Sequence, residues 1–499
     1  MITVNIKRYD PVKDLHYTES YEIEEIEKMK VLDALSEINK KYNANIAYRY
    51  SCRAGQCGSC AIKVNGKAKL ACKAEIGDND LLEPLDLPVI KDLIVDRSEM
   101  NSIIKDLNMY MTSEDWDMAR KKPEVIKPEA YADSDKLRGC IDCFSCLSMC
   151  PVIKKTENYV GPYFMRGFSN IEFDPREDES LSEKSVENGI YYCTSCGECT
   201  KTCPKEIDIY GKAIEKLRAK IFYEKEGPLK PHKLVRKAVL ETGRTVQPSG
   251  EGKYPEGFVK EFNKNRSSDK KNKIAFFTGC MIDNRLPWIA EYFIDVLGKL
   301  GYEVDVPEAQ VCCGSPLLRT GQIDIIPDLV EKNYETFKDY DTIITVCAGC
   351  GATLKNNYPE YGVNLNVMDI SEFLEGKLDP EDMNELNLKV TYHDPCHLVR
   401  SQGISQQPRD ILRNIKGVEF IEMEKPDQCC GAGGGVKSGK PEIAEALADD
   451  KVDMIDKLDV DYVVTICPFC EFNINDSLQK KNSKTSVINI MELLNKAYE

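Results

Sequence analysis

Apolar and polar positions alternate from the start of the chain: Ile2, Val4 and Ile6 fall on one side of a strand and the residues between them on the other. Met29-Lys-Val-Leu-Asp-Ala-Leu-Ser-Glu-Ile spaces its apolar residues by three and four, which predicts a helix, and Ala61-Ile-Lys-Val returns to alternation. Residues 1–100 therefore predict short strands around one helix. Residues 101–240 look helical and loop-rich, broken by Cys-Pro steps at Pro151 and Pro204. Residues 241–272 are rich in Gly, Pro, Lys, Asn and Ser with few apolar side chains, the composition of a linker.

The remainder repeats itself. Lys273-Ile-Ala-Phe-Phe-Thr-Gly-Cys corresponds to Lys389-Val-Thr-Tyr-His-Asp-Pro-Cys, and Cys312-Cys-Gly to Cys429-Cys-Gly. Thr342-Ile-Ile-Thr-Val-Cys matches Tyr462-Val-Val-Thr-Ile-Cys, and Val367-Met-Asp-Ile matches Val487-Ile-Asn-Ile. Two copies of one domain are expected, at 273–376 and 389–499. In the first, strands are expected near 274–278, 303–306, 342–346 and 366–370, with Ile289, Phe293, Val296, Leu297 and Leu300 striping the helix between the first two. Strand–helix–strand units of this length predict a mostly parallel, Rossmann-like sheet. Its crossovers return the chain to the same end each time. Cys280, Cys312-Cys313 and Cys347 with Cys350 each follow a strand, so five thiols should converge at the carboxyl edge, where open α/β sheets place ligands. The second copy should do the same with Cys396, Cys429, Cys430, Cys467 and Cys470.

Composition narrows the class. The 499 residues suit three or four domains, and 42% hydrophobic with 30% charged residues is ordinary for a globular chain. A formal charge of −16 argues against nucleic acid as a partner. No apolar run approaches the ~18–20 residues of a membrane span. With neither a signal-peptide h-region nor a prenylation box, the expected location is cytoplasmic. In that compartment 22 cysteines mean metal or catalysis rather than disulfides. All 22 fall into five groups, with none left over.

Cys52-x4-Cys57-x2-Cys60-x11-Cys72 has plant-type [2Fe–2S] spacing, with Gly55 and Gly58 allowing close backbone approach. Cys140, Cys143, Cys146, Cys150-Pro and Cys193, Cys196, Cys199, Cys203-Pro are two bacterial [4Fe–4S] signatures. In such pairs the fourth cysteine serves the other cluster. The expected sets are therefore Cys140, Cys143, Cys146 and Cys203 for one cubane, and Cys193, Cys196, Cys199 and Cys150 for the other. Five thiolates per C-terminal copy exceed the four that a cubane needs, and a zinc site or an ordinary [4Fe–4S] cluster with a spare thiol are the plain alternatives. Gly314 and the glycine run from Gly431 would admit a bulky core. That run is no dinucleotide fingerprint, because it follows a cysteine pair rather than a strand. His393 and His397 flank Cys396, each either satisfied by backbone or available to the site as a donor or proton carrier. Asp394 is expected to cap a helix.

The first 240 residues resemble the iron–sulfur subunit of the succinate dehydrogenase/fumarate reductase family. Ser51-Cys-Arg-Ala-Gly-Gln-Cys-Gly-Ser-Cys-Ala is nearly that family's first cluster loop, and the Cys-Pro motifs and Gly161-Pro162 fit as well. The resemblance implies a β-grasp ferredoxin domain over 1–100 and a helical two-cluster domain over 101–240. Respiratory members usually lack a cysteine at the place of Cys196; its presence here implies a second [4Fe–4S] cluster rather than a [3Fe–4S] centre beside a quinone. Residues 273–499 resemble the cysteine-rich CCG domains found in heterodisulfide reductases, which implies a noncubane [4Fe–4S] cluster on each set of five cysteines. Together the halves resemble the iron–sulfur subunits of the thiol:fumarate reductases of methanogenic archaea. That implies an oxidoreductase subunit in which the ten C-terminal cysteines form the reacting centre. Coenzyme M and coenzyme B thiols would be oxidised there to their mixed disulfide. Electrons would pass through the N-terminal clusters to a flavoprotein partner that carries the flavin and reduces fumarate. A quinone- or lactate/glycolate-linked subunit, or an electron-transfer adaptor without its own substrate, are the alternatives.

Overall fold

A computed structural model describes residues 1–111, 126–264 and 273–499. The described chain forms two compact units, Met1–Ile190 with Gly197–Leu217, and Tyr191–Cys196 with Arg218–Glu499.

The first unit opens with a five-stranded sheet built from β1 (Ile2–Asp10), β2 (Leu15–Ile23), β3 (Ala61–Val64), β4 (Lys67–Leu70) and β5 (Asp80–Glu83), in the order β2-β1-β5-β3-β4. β1 pairs antiparallel with β2 but parallel with β5, and β3 runs antiparallel to both β5 and β4. The inward residues of β1 are Ile2, Val4 and Ile6, as the alternation predicts, and the next inward position is Arg8. That buried guanidinium is answered by Asp92, with Nε to Oδ1 at 2.8 Å. A small hairpin, β6 (Val89–Lys91) and β7 (Ile94–Val95), follows. The helix Val31–Tyr42 buries Val31, Leu32, Ala34, Leu35 and Ile38 and ends on Asn43 in the left-handed region at φ 51°. Short helices and loops make up the rest of the unit. The longest of these helices among the described residues, Pro162–Glu172, is buried along most of its length.

The second unit contains both repeats. β8 (Ile274–Phe277), β9 (Val304–Asp305), β10 (Thr342–Thr345) and β11 (Val367–Asp369) form one sheet, ordered β11-β10-β8-β9. β12 (Leu388–Tyr392), β13 (Val418–Phe420), β14 (Tyr462–Thr465) and β15 (Ser486–Asn489) form the other, ordered β13-β12-β14-β15. Every pairing is parallel, and both copies follow the same topology. The strands fall where the sequence predicts them, because a parallel strand buried on both faces reads as a continuous apolar run. Phe276 on one face of β8 stacks on Phe293 of the helix Pro287–Lys299, with centroids 3.9 Å apart, while Ala275 and Phe277 face a second core cluster. Of the predicted helix stripe, Ile289, Phe293, Val296 and Leu297 are buried, and Leu300 lies just past the helix end. One hydrophobic core runs through both copies, from Phe258 to Ala497.

The stretch 241–272, expected only to connect, is tied into this unit wherever it is described. Phe258–Asn263 is a helix that buries Phe258 and Val259. The Val259 N–H donates to Asp283 Oδ1 at 2.9 Å, and Arg244 pairs with the same carboxylate at 2.9 Å. Residues 265–272 lie outside the described residues. The stretch expected as one helical domain, 101–240, is divided between the two units, since Tyr191–Cys196 and everything from Arg218 onward belong to the second.

Candidate metal centres

All 22 cysteines are free thiols, and most are buried. In the first unit the Cys52–Cys72 loop turns so tightly that the N–H groups of Ala54 and Gln56 both donate to Cys52 Sγ at 3.3 Å. Bonds from the Cys52 backbone and from Ser59 bring the Cys57 thiol down to about 6, whereas burial lifts Cys60 to about 11. Backbone N–H groups aimed at sulfur favour the thiolate, which is the ligating form. Gly58, at φ +66°, lies so close to the next cysteine loop that a Cβ there would sit 2.2 Å from Ile141 O. Only glycine fits, so this loop is packed directly on the one that carries Cys143.

Cys140, Cys143, Cys146 and Cys203 line one apolar-walled cavity with Tyr163 and Arg166. The cavity gathers the four cysteines that the crossed pattern groups together, although Cys203 is far from the others in sequence. Burial raises the Cys146 thiol well above its ordinary value, helped by the nearby Cys143, Cys140 and Cys203 thiols. Cys150 and Cys199 are also buried in this unit.

In the second unit each strand-end cysteine lies where the topology predicts. Cys280 follows β8, Cys312-Cys313 follow β9 and Cys347 follows β10; Cys396, Cys429-Cys430 and Cys467 follow β12, β13 and β14. The thiols form a connected series. Cys312 contacts Cys280 and Cys313, Cys313 contacts Cys350, and Cys350 contacts Cys347. In the second copy Cys467 contacts Cys470, the Cys430 and Cys470 sulfurs are 3.4 Å apart, and Cys429 contacts Cys396. The two series meet: the Cys347 and Cys467 thiols are near enough to shift one another, Cys347 upward and Cys467 downward. Backbone N–H groups again point at sulfur, from Gly314 to Cys312 at 3.4 Å, from Ser315 to Cys313 at 3.5 Å and from Gly431 to Cys429 at 3.3 Å. The Thr245 N–H, from the stretch expected as linker, donates to Cys280 Sγ at 3.4 Å. Bonds from Cys312 and then Cys350 hold the Cys313 thiol down to about 5.

Cys193 and Cys196 belong to this unit as well, and Cys196 packs with Cys396 and Cys429 in one buried cluster. Gly434 admits the loop: a Cβ there would stand 2.4 Å from Cys193 O. Two arginines that the motifs do not mark fix the same loop. Arg218, fully buried, donates to Cys193 O at 2.8 Å and, through Nη1, to Arg319 O at 2.6 Å and Gly434 O at 3.2 Å. Arg400 donates to Cys196 O at 3.1 Å and Asp427 O at 2.6 Å. The His397 Nε2–H donates to Ser195 O at 3.1 Å, and burial lowers that imidazole to about 4, so it is neutral. Of the two histidines, His397 is the one satisfied by backbone.

Asp394 does not cap a helix. The helix Cys396–Val399 starts from Pro395 with no side-chain cap. Asp394 instead accepts both Nη groups of Arg409, at 3.0 and 2.7 Å, with both side chains buried. Arg409 also reaches Glu422 through Nε at 2.7 Å. Removing one partner of such a buried pair costs about 3–5 kcal/mol, more than a cap contributes, so the carboxylate serves better in the pair. Lys451 is a further unmarked residue: fully buried, it donates to Lys425 O at 2.5 Å, and burial lowers it to about 8.

Five groups of thiols with N–H donors on sulfur, all buried or half-buried except the exposed Cys52, and no disulfide among them, fit iron–sulfur clusters by the chemistry of the donor set. Among the described residues no helix is long and apolar enough to cross a membrane.

Comparison with known proteins agrees on the parts. Residues 3–102 match the 2Fe-2S iron-sulfur cluster binding domain family, 136–207 the 4Fe-4S dicluster domain, and 274–355 and 390–475 the cysteine-rich CCG domain. The chain is 29% identical to a subunit of the dihydromethanophenazine:CoB–CoM heterodisulfide reductase of Methanosarcina barkeri, over 76% of this chain and 98% of that one. A hypothetical protein from Helicobacter pylori of known crystal structure aligns with a TM-score of 0.65 at 15% identity, covering 100% of this chain and 94% of that one, a likeness of fold alone. A subunit of the fumarate reductase (CoM/CoB) of Methanothermobacter marburgensis is 55% identical, over 100% of this chain and 99% of that one. With that identity along its whole length, the chain belongs to the family of this fumarate reductase (CoM/CoB) subunit.

Proposed function

We propose that this chain is the iron–sulfur subunit of a cytoplasmic thiol-dependent fumarate reductase. It takes electrons from coenzyme M and coenzyme B thiols at its ten C-terminal cysteines and passes them to a flavoprotein partner that reduces fumarate to succinate. The reaction balances: two thiols lose two electrons and two protons as the S–S bond forms, and fumarate gains both. The observation that carries the reading is the meeting of the two five-thiol series at Cys347 and Cys467. Two sulfurs that must couple need two adjacent sites, and the repeat supplies them.

The ligand sets follow the spacing: Cys52, Cys57, Cys60 and Cys72 for a [2Fe–2S] cluster, the two crossed sets of four for [4Fe–4S] clusters, and five cysteines per C-terminal copy for a noncubane [4Fe–4S] cluster. Bound clusters supply one-electron steps and an iron that favours thiolate over thiol. The chain's own part is positioning. Backbone N–H groups of Gly314, Ser315 and Gly431 point at the sulfurs of Cys312, Cys313 and Cys429, the direction that favours the ligating thiolate. Arg218 and Arg400 hold the Cys193–Cys196 loop against the second copy, which makes Cys196 the exit from that copy.

The test is to purify the native complex without oxygen. About 18 iron atoms per copy of this chain, a co-purifying flavoprotein, and fumarate reduction that needs both thiols are expected. Stoichiometric zinc with only about 10 iron atoms, or turnover indifferent to thiols, would contradict the reading.

A further inference from the structure

Phe277 and His393 occupy matching positions in the two copies, each three residues before the copy's first cysteine. Their surroundings differ. Phe277 is buried in apolar core beside Phe337. His393 has 0% exposure, and neither ring nitrogen has a nitrogen or oxygen partner. Its backbone is fixed at the end of β12, with the N–H bonded to Val464 O at 2.9 Å and the carbonyl accepting from Thr465 Oγ1 at 3.2 Å. The strand ends therefore aim the ring, and they aim it at sulfur. A ring nitrogen of His393 and the sulfurs of Cys430 and Cys470 all lie within 4.8 Å of one another. A buried imidazole is costly unless it is hydrogen-bonded, and the partner it finds is the sulfur of Cys430, one of the thiols assigned here to the second C-terminal cluster.

We propose that His393 donates a hydrogen bond to a sulfur of the cluster held at the second C-terminal site, and so makes that site the stronger electron acceptor of the two. The inference rests on the proposed function, which places a cluster there. An N–H directed at a cluster sulfur stabilises the more negative, reduced cluster and raises its potential. The first site has Phe277 in that place and gains no such bond. The asymmetry has a direction: the second site is the one whose Cys396 and Cys429 pack against Cys196. An electron is therefore drawn to the side from which it leaves. His393 is a positioning residue, acting on the cluster and not on the substrate.

The test uses the complete native complex, prepared with 15N-labelled histidine and examined by pulsed paramagnetic resonance with the C-terminal clusters paramagnetic. A weak 15N coupling and an exchangeable proton that disappears in D2O are expected, and both should vanish in His393→Phe. That variant should keep its iron while one C-terminal cluster falls in potential by about 60 mV, a tenfold change for one electron. His393→Gln, which retains an N–H donor, should recover much of the shift. Absence of 15N coupling in the wild type, or an unchanged potential in an iron-replete His393→Phe, would overturn the proposal. A coupling as strong as that of a directly bonded nitrogen would also overturn it, by making His393 a ligand. If His393→Phe loses iron, the coupling in the wild type decides. Wild-type iron short by about four atoms would instead count against the proposed function.

Discussion

Replacing Cys347 by serine is expected to lower thiol-dependent fumarate reduction by at least about 10³-fold, while dye-driven fumarate reduction by the flavoprotein partner stays within about twofold. Cys347 is the point at which the first series of thiols touches the second, through Cys467. It is also one of five cysteines where a cubane would need four, so its loss separates two accounts of the fifth thiol. If the site needs all five to hold a cluster beside the second copy, turnover collapses even when iron is retained on the remaining four. A spare thiol would leave turnover unchanged, and wild-type rates in this variant would contradict the account. Residues that act as one unit lose nearly everything when any member goes, which is why the expected effect is large. The dye assay bypasses this chain and reports that the partner is intact.

Cys196→Ala is expected to convert one cubane into a [3Fe–4S] centre, with iron falling by about one atom per chain and thiol-dependent turnover falling by about 100-fold. The three remaining cysteines of its set keep three irons, so folding should survive. The large loss of rate comes from position. Cys196 is buried against Cys396 and Cys429, and the Arg400 guanidinium fixes its carbonyl. On the proposed route an altered cluster at that point interrupts transfer from the second copy. Iron analysis and paramagnetic resonance on the purified variant check it. Two intact cubanes after the substitution would show that Cys196 is not a ligand.

Much of this architecture is legible in the sequence because its signals are local. Cysteine spacing is set by how a short loop wraps a cluster. The strands at 274–277 and 342–345 read as apolar runs because both their faces are covered. The convergence of Cys280, Cys312-Cys313 and Cys347 follows from parallel topology alone. What escapes is long-range. Nothing in the local pattern says that Tyr191–Cys196 joins the second unit, that Thr245 donates to Cys280, or that Cys347 of one copy meets Cys467 of the other. Asp394 has the sequence look of a cap, yet Arg409, fifteen residues away, claims it. Arg218 and Lys451 were within reach. Ile214, Leu217, Arg218 and Ile221 keep helical spacing, as do Leu447, Ala448, Lys451 and Val452, and all eight side chains are fully buried. A charged residue on an apolar stripe is a signal that its charge is used inside.

The location of thiol chemistry is tested most directly by paramagnetic resonance on the anaerobic native complex, poised at partial oxidation without fumarate, with coenzyme M and coenzyme B thiols added one at a time. Signals of the C-terminal clusters should change with each thiol, while those of the [2Fe–2S] cluster and the two cubanes stay as they were. C-terminal signals indifferent to both thiols, with N-terminal signals that shift, would place the reaction elsewhere and leave Cys280 to Cys470 as carriers of electrons only.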